Sequence, residues 1–278
     1  MKLRSLLFVP ADRPDRFEKA INSSADAIIL DMEDSVVPSH KQEARIAVSE
    51  FLKTPKPKPI FVRINPLTTQ WAAQDLSCLL PFPPAGIILP KAEGAQSILT
   101  LIKLLNGVVI PIIPITTETP TAVFELGTYR EVSEYLLGLT WGAEDLPASI
   151  GASTSRNEDG SYTPPYEMLR SMSLFSAHAA DVAAIDTVYV DIKNQDGLAA
   201  YAARSRRDGF SGMMAIHPSQ TDIINQAFTP TDTEIKQAQS IVDAFKSDPD
   251  AGALQINGKM VDAPHLVQAK KVLARLKN

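Results

Sequence analysis

The amino-acid sequence predicts an α/β fold, a (β/α)8 TIM barrel with a C-terminal helical extension. Three observations carry that prediction. Eight apolar runs of strand length recur along the chain, at residues 6–10, 27–32, 60–64, 86–89, 108–115, 135–139, 187–190 and 213–216. Segments with helical periodicity lie between them, for example 41–52, 95–105, 166–184 and 198–207, and parallel strands need connections of that length. The first run is followed by Ala11-Asp12-Arg13-Pro14, without glycine, where an open doubly wound sheet usually carries a Gly-rich phosphate turn. Eight units in a chain of 278 residues favour the closed barrel.

Each element has a local reason. The second run, Ala27-Ile28-Ile29-Leu30, and the third, Ile60-Phe61-Val62, are continuous apolar stretches of the kind buried on both faces of a parallel sheet. The proline-rich patch at 54–59 reads as a stiff extended link into the third strand. The fifth run, 108–115, contains Pro111 and Pro114, which count against an interior antiparallel strand. A polar segment, 151–163, follows the sixth run and is long enough for a mobile active-site loop. A helix at 220–228 closes the barrel, so residues 1–228 form the catalytic domain. Residues 229–278 form a helical cap, with helices at 233–245 and 264–277 around a polar loop at 248–258, and are expected to contact a neighbouring subunit.

Composition narrows the function classes. The 45% hydrophobic and 21% charged content describes a soluble globular protein. A net charge of −5, with no block of lysine and arginine, offers no field for nucleic acid. One cysteine, Cys78, excludes an internal disulfide and fits a reducing compartment. The apolar patch before Asp12 and Arg13 is too short for a secretion signal or a membrane span, so a cytoplasmic location is expected.

In such a barrel the chemistry sits where strands end at their C-termini. Those ends read Asp31-Met32-Glu33-Asp34, Arg63-Ile64-Asn65, Lys91-Ala92-Glu93, Thr117-Glu118, Glu144-Asp145, Asp191 and His217-Pro218. Glu118 and Asp145 follow neighbouring strands, which lie about 4.8 Å apart, so both carboxylates could reach one cation. Oxygen ligands without histidine or cysteine favour Mg²⁺ or Mn²⁺ over Zn²⁺. The plainer reading pairs each acid with arginine, or makes Asp145 a cap for the helix after it. Arg63 emerges from a buried strand and suits a substrate carboxylate or a developing enolate oxygen, or an ion pair with Asp31, Glu33 or Asp34. Lys91 supports a rival chemistry, a Schiff base, or else pairs with Glu33 or Glu93. His217 could serve as a base but reads more readily as a satisfied residue behind the site, and Cys78 reads as core.

With these residues collected, the chain resembles the citrate lyase β-subunit-like family of the HpcH/HpaI aldolase superfamily. The resemblance rests on the order and spacing of several motifs. They are Arg4-Ser5-Leu6-Leu7-Phe8-Val9-Pro10, Leu30-Asp31-Met32-Glu33-Asp34-Ser35-Val36, Val62-Arg63-Ile64-Asn65, Leu89-Pro90-Lys91, Glu118-Thr119, Gly142-Ala143-Glu144-Asp145-Leu146, Ala215-Ile216-His217-Pro218 and Gly258-Lys259-Met260-Val261-Asp262. Ala11 departs from the family's glycine after Val-Pro. The resemblance implies a Mg²⁺-dependent homo-oligomer, a trimer or hexamer, that makes or breaks a carbon–carbon bond between an acetyl-type CoA thioester and a 2-oxo acid. It implies Glu118 and Asp145 as metal ligands and Arg63 as substrate contact and catalytic residue. Arg16 and Lys41 fall where the family meets the CoA phosphates, and Asp262 matches an acid/base aspartate given by a neighbouring subunit. Read from the residues alone, Asp262 before Ala263-Pro264 is also a helix N-cap.

The expected activity is cleavage of citramalyl-CoA or malyl-CoA to acetyl-CoA and pyruvate or glyoxylate. The alternatives are a malyl-CoA thioesterase, a citryl-carrier-protein lyase subunit, and a CoA-ester-binding subunit with little activity alone.

Overall fold

The computed structural model describes residues 1–276; Lys277, which ends the expected last helix, and Asn278 lie outside the described residues. Eight parallel strands alternate with helices: β1 (Ser5–Pro10), α1 (Phe17–Ile21), β2 (Ala27–Asp31), α2 (Lys41–Leu52), β3 (Ile60–Arg63), α3 (Ala72–Leu79), β4 (Gly86–Leu89) and α4 (Gly94–Leu104) form the first half. The second half comprises β5 (Ile112–Pro114), α5 (Pro120–Glu125), β6 (Gly138–Leu139), α6 (Leu146–Ile150), α7 (Pro164–Ala179), β7 (Ala183–Asp186), α8 (Gln195–Asp208), β8 (Gly212–Ala215) and α9 (Thr221–Phe228). The sheet order β5-β4-β3-β2-β1-β8-β7-β6 leaves β5 and β6 at its ends. Two parallel bridges, Ile112 with Leu136 and Ile115 with Thr140, join those ends and close the barrel. One more residue lies on the β6 side than on the β5 side between the two bridges, so this seam carries a register slip, whereas the other strand pairs among the described residues run in continuous register.

Strand parity then decides what faces inward. Leu6, Ala27, Ile29, Phe61, Ile88, Ile113, Ile185 and Met214 pack together inside the barrel. Their strand neighbours Leu7, Ile28, Leu30, Val62 and Ile112 are equally buried on the opposite face. Burying each such side chain contributes about 1.5–3 kcal/mol. Because side chains alternate, the residues two positions beyond the core layer also point inward. By this parity Asp31 follows Ile29 and Arg63 follows Phe61 into the C-terminal mouth, while Thr117 follows Ile115.

Three expectations are corrected. The seventh strand is Ala183–Asp186, not 187–190. Alanine is a strong helix former, so Ala183-Ala184 reads as the tail of the preceding helix, yet Ile185 belongs to the core and pairs with β8. The acid at this strand end is therefore Asp186; Asp191 is exposed and accepts the backbone N–H groups of Lys193 and Asn194. The fifth and sixth strands are shorter than expected, since Val109 is 87% exposed and a 3-10 helix runs up to Tyr135. Cys78 is half-buried rather than core, and burial pushes its thiol up to about 12.

The chain divides into two compact units, residues 3–225 and residues 226–278 with Met1–Lys2. In the second unit α10 (Asp232–Ser247) and α11 (Ala263–Ala274) pack with Val261 around Ile241 and Phe245. The expected polar loop at 248–258 contains β9 (Ala253–Ile256), paired antiparallel with β10 (Lys259–Asp262). Asn257 and Gly258 turn the chain with positive φ of 50° and 76°, the conformation of a two-residue hairpin turn that favours Asn-Gly. That dipeptide is a hairpin signal, and it identifies an element the polar reading of the segment missed.

Candidate active site

A cavity of about 440 Å³ opens at the C-terminal mouth of the barrel. Its walls are apolar, from Phe8, Ile115, Trp141, Val188, Met214 and Ile216. Its charged groups are Asp31, Asp34, Arg63, Glu118, Glu144 and Asp145. A groove of about 510 Å³ lies elsewhere, against Phe17, Ile46 and Phe51, but its acids Glu18, Glu43 and Glu50 are all exposed, so no buried catalytic group converges there.

Arg63 anchors one side. Its Nε and Nη2 each donate to a different oxygen of Asp31 at 2.7 Å, a bidentate pair that fixes the guanidinium plane. Its Nη1 lies 2.9 Å from Glu33 Oε2, close enough for charge pairing though poorly aligned for a hydrogen bond. The guanidinium also sits 4.9 Å from the Phe8 ring centroid. Burial raises the Asp31 carboxyl, but the charge and hydrogen bonds of Arg63 more than offset it and leave it below the usual range. Arg63 thus has both anticipated roles open to it, as an ion-pair partner and as a group on the cavity wall.

Glu118 and Asp145 stand on the other side, and Lys91 lies between them. Lys91 adopts a positive φ of 49°, unusual for a side chain of its size, and its backbone N–H donates to Glu118 Oε2 at 2.5 Å. Its ammonium lies 3.0 Å from Glu33 Oε1 and 3.3 Å from Asp145 Oδ1. Burial, together with the charges of Glu33 and Asp145, pushes the Glu118 carboxyl up to about 8. A buried carboxyl raised that far is short of positive charge around it.

The Schiff-base alternative for Lys91 does not match this environment. Burial lowers its pKa, but the neighbouring acids outweigh that and raise it above the ordinary lysine value. An amine that forms imines at neutral pH needs the opposite shift. Incubation with pyruvate and borohydride is therefore expected to leave the protein mass unchanged; an added pyruvyl mass on Lys91 would reverse this assignment.

The other sequence candidates fall in different places. Lys41 is buried, and its ammonium donates to the carbonyls of Met32 and Glu33 at 2.7 and 2.8 Å, holding the loop that carries the acids. Arg16 is exposed in a short 3-10 turn after β1. Asp262 belongs to the second unit, at the N-terminus of α11, where its Oδ1 lies 2.5 Å from His265 Nδ1. That hydrogen bond lowers its pKa. His217 is exposed and caps a short turn, its Nδ1 accepting from the Ser219 N–H.

Sequence reasoning missed a network behind the cavity. Asp186, fully buried at the end of β7, accepts from Trp141 Nε1 at 2.6 Å, from Arg170 Nε and Nη2, and from the Tyr201 hydroxyl. The only signal for it was an acid at a strand end, and the strand was placed four residues late.

Residues 4–218 match the family model described as HpcH/HpaI aldolase/citrate lyase. The chain is 36% identical over 270 residues to a citrate lyase subunit beta-like protein of Mycobacterium tuberculosis, covering 97% of this chain and 94% of the relative. It is 31% identical over 281 residues to a (3S)-malyl-CoA thioesterase of Cereibacter sphaeroides, covering 98% and 94% of the two chains. A crystal structure of CitE from Mycobacterium tuberculosis, in complex with magnesium, acetoacetate and coenzyme A, superposes with a TM-score of 0.86 at 34% identity, covering 100% of this chain and 99% of that one. Barrel, strand-end motifs and relatives converge, and the chain belongs to the HpcH/HpaI aldolase/citrate lyase family.

Proposed function

We propose that this protein is a Mg²⁺-dependent carbon–carbon lyase acting on a 3-hydroxy-carboxyacyl-CoA thioester, with citramalyl-CoA as first choice and malyl-CoA as second. One observation carries the reading: Glu118, a buried carboxyl short of positive charge, and Asp145 share a single apolar-walled cavity with the Arg63 guanidinium. Among the described residues no group of three or more His, Cys, Asp or Glu side chains is arranged to hold a metal. A hard cation would therefore take two oxygens from Glu118 and Asp145 and the rest from water and a chelating substrate, a division that suits Mg²⁺. When bound, Mg²⁺ would polarise the hydroxyl and carboxylate oxygens of the substrate and stabilise the 2-oxo acid.

The chain's own groups supply the remainder. In cleavage the carbinol proton passes to solvent water, the carbon–carbon bond breaks, and its electron pair becomes a thioester enolate. Arg63, held in place by Asp31, presents positive charge to the enolate oxygen. The walls of Phe8, Trp141, Val188 and Met214 exclude water that would weaken that charge. Asp262, supplied by a neighbouring copy in a trimer or hexamer, exchanges the proton at the enolate carbon. Its contact with His265 favours the carboxylate, the form that removes a proton in the synthetic direction. Exposed Arg16 is the stronger candidate for a CoA phosphate contact, since Lys41 is engaged by main-chain carbonyls.

The raised Glu118 value gives a pH prediction. A carboxyl near 8 is mostly protonated at neutral pH, so Mg²⁺ must displace a proton to bind. Affinity should therefore rise with pH up to about 8 and then level off. Calorimetry in buffers of different ionisation enthalpy should register close to one proton released at pH 7; a pH-independent affinity with no proton release would contradict it. The folding consequence has the same origin. The raised value makes Glu118 a cost to stability that begins above the ordinary carboxylate range and is complete above about 8.

The decisive experiment is a panel of citramalyl-, malyl- and citryl-CoA, with and without Mg²⁺, scored for keto acid and for free CoA. Keto acid release from citramalyl-CoA that depends on Mg²⁺ is the expected result. Free CoA with intact hydroxy acid would favour the thioesterase reading, which the 31% identical malyl-CoA thioesterase relative supports. No turnover of any member would sink the lyase assignment.

A further inference from the structure

The two candidate metal ligands stand on opposite sides of the barrel seam, where the backbone ladder is least regular. Glu118 follows β5 and Asp145 follows β6. β6 is only two residues long, and isolated bridges with a register slip replace a continuous ladder between these strands. Backbone pairing persists as far as Thr116 and Thr140, whose N–H and carbonyl meet at 2.9 Å. Beyond that point one side chain takes over. The Thr117 hydroxyl donates to the Gly142 carbonyl at 2.8 Å and accepts from the Gly142 N–H at 3.1 Å. A single buried hydroxyl thus satisfies both backbone groups of Gly142, the work of two ladder bonds.

Gly142 is also the surface against which Glu118 rests. A Cβ built there would stand 3.0 Å from Glu118 Cγ and 3.3 Å from Ile115 Cγ2, tighter than ordinary contact. The residue before it, Trp141, is tied to β7 through Asp186, which Arg170 of α7 holds in turn. The segment from Gly142 to Asp145 is therefore fastened from both sides at its root.

We infer that Thr117 is a positioning residue whose bridge to Gly142 sets the separation of Glu118 and Asp145 across the seam. The inference rests on the proposed Mg²⁺ site. Thr117 does not ligand the ion; it acts through the backbone of Gly142. A residue of this kind changes metal affinity by about tenfold or more when its hydrogen bonds are lost.

The test compares T117V, which keeps the shape and loses the hydroxyl, with T117S, which keeps the hydroxyl. Mg²⁺ is titrated into each and followed by calorimetry. In parallel, the same variants are made on a W71F background, where Trp141 is the remaining indole and its emission reports on the cavity wall. The expected result is Mg²⁺ binding weakened about tenfold in T117V, with T117S close to wild type. Wild-type affinity in T117V, or T117S as weak as T117V, overturns the inference. If T117V does not fold, T117A decides: binding weakened in T117A and kept in T117S supports the inference, and wild-type affinity in T117A overturns it. Absence of Mg²⁺ binding by the wild-type protein itself would instead remove the metal site on which the inference depends.

Discussion

The E118Q and D145N variants are expected to lose turnover by roughly a thousandfold or more, with no recovery in excess Mg²⁺. Glu118 is the more deeply buried of the two acids. Its side chain is 3% exposed, and burial with Glu33 and Asp145 nearby pushes its carboxyl up to about 8. A group in that state does not stabilise the fold by being charged. Glutamine keeps an oxygen for the Lys91 N–H and removes the ionisation, so E118Q measured in EDTA at pH 8 should melt no lower than wild type. Lost activity with retained or raised stability separates a ligand from a structural acid. Full turnover in either variant, or in wild type after exhaustive EDTA treatment, would refute the metal assignment.

The second large effect is on Arg63, and it combines stability with activity. Asp31 and Glu33 are 3% and 4% exposed at their side chains, and both face the Arg63 guanidinium. R63A removes the countercharge of buried Asp31 and leaves Glu33 with Lys91 alone, an arrangement that typically costs about 3–5 kcal/mol. It also removes the cavity's guanidinium, so turnover should fall by about a hundredfold or more in the protein that remains folded.

The pH dependence identifies the cause. In wild type the depressed Asp31 contributes stability that is present above the ordinary carboxylate range and lost as pH falls through its lowered value. Without Arg63, burial alone raises the Asp31 carboxyl, so the variant binds a proton more readily when folded. The stability gap between R63A and wild type should therefore be widest near neutral pH and narrow toward acid. Urea unfolding at several pH values between about 8 and 4 measures it. A gap independent of pH would show that the loss is packing against Phe8 rather than charge.

Much of this site was readable from the chain itself, for a local reason. Continuous apolar runs placed β2 and β3, and their C-terminal ends placed Asp31 and Arg63 beside each other in register. The same logic placed Glu118 and Asp145 at neighbouring ends. The reading failed where local signals conflicted. Ala183-Ala184 continue a helical pattern, and Thr187-Val188-Tyr189-Val190 look more like a strand than the true β7 does. Only the ladder to β8 and the contacts of Ile185 in the core decide between them. In the second unit the Asn257-Gly258 turn was legible, but the polar residues around it concealed the hairpin.

The sequence by itself determined the number of strand–helix units, the position of every strand but the seventh to within a few residues, and Asp31, Glu118 and Asp145 at the mouth. These follow from side-chain period and apolar run length, properties of a few consecutive residues. Partner choice was decided only by tertiary structure. Arg63 joins Asp31 and Glu33, Lys91 lies between Glu33 and Asp145, and the Thr117 hydroxyl reaches Gly142. Several of those partners lie more than twenty residues apart, and the Thr117 bridge exists only because the closing seam slips by one residue before the ladder gives out.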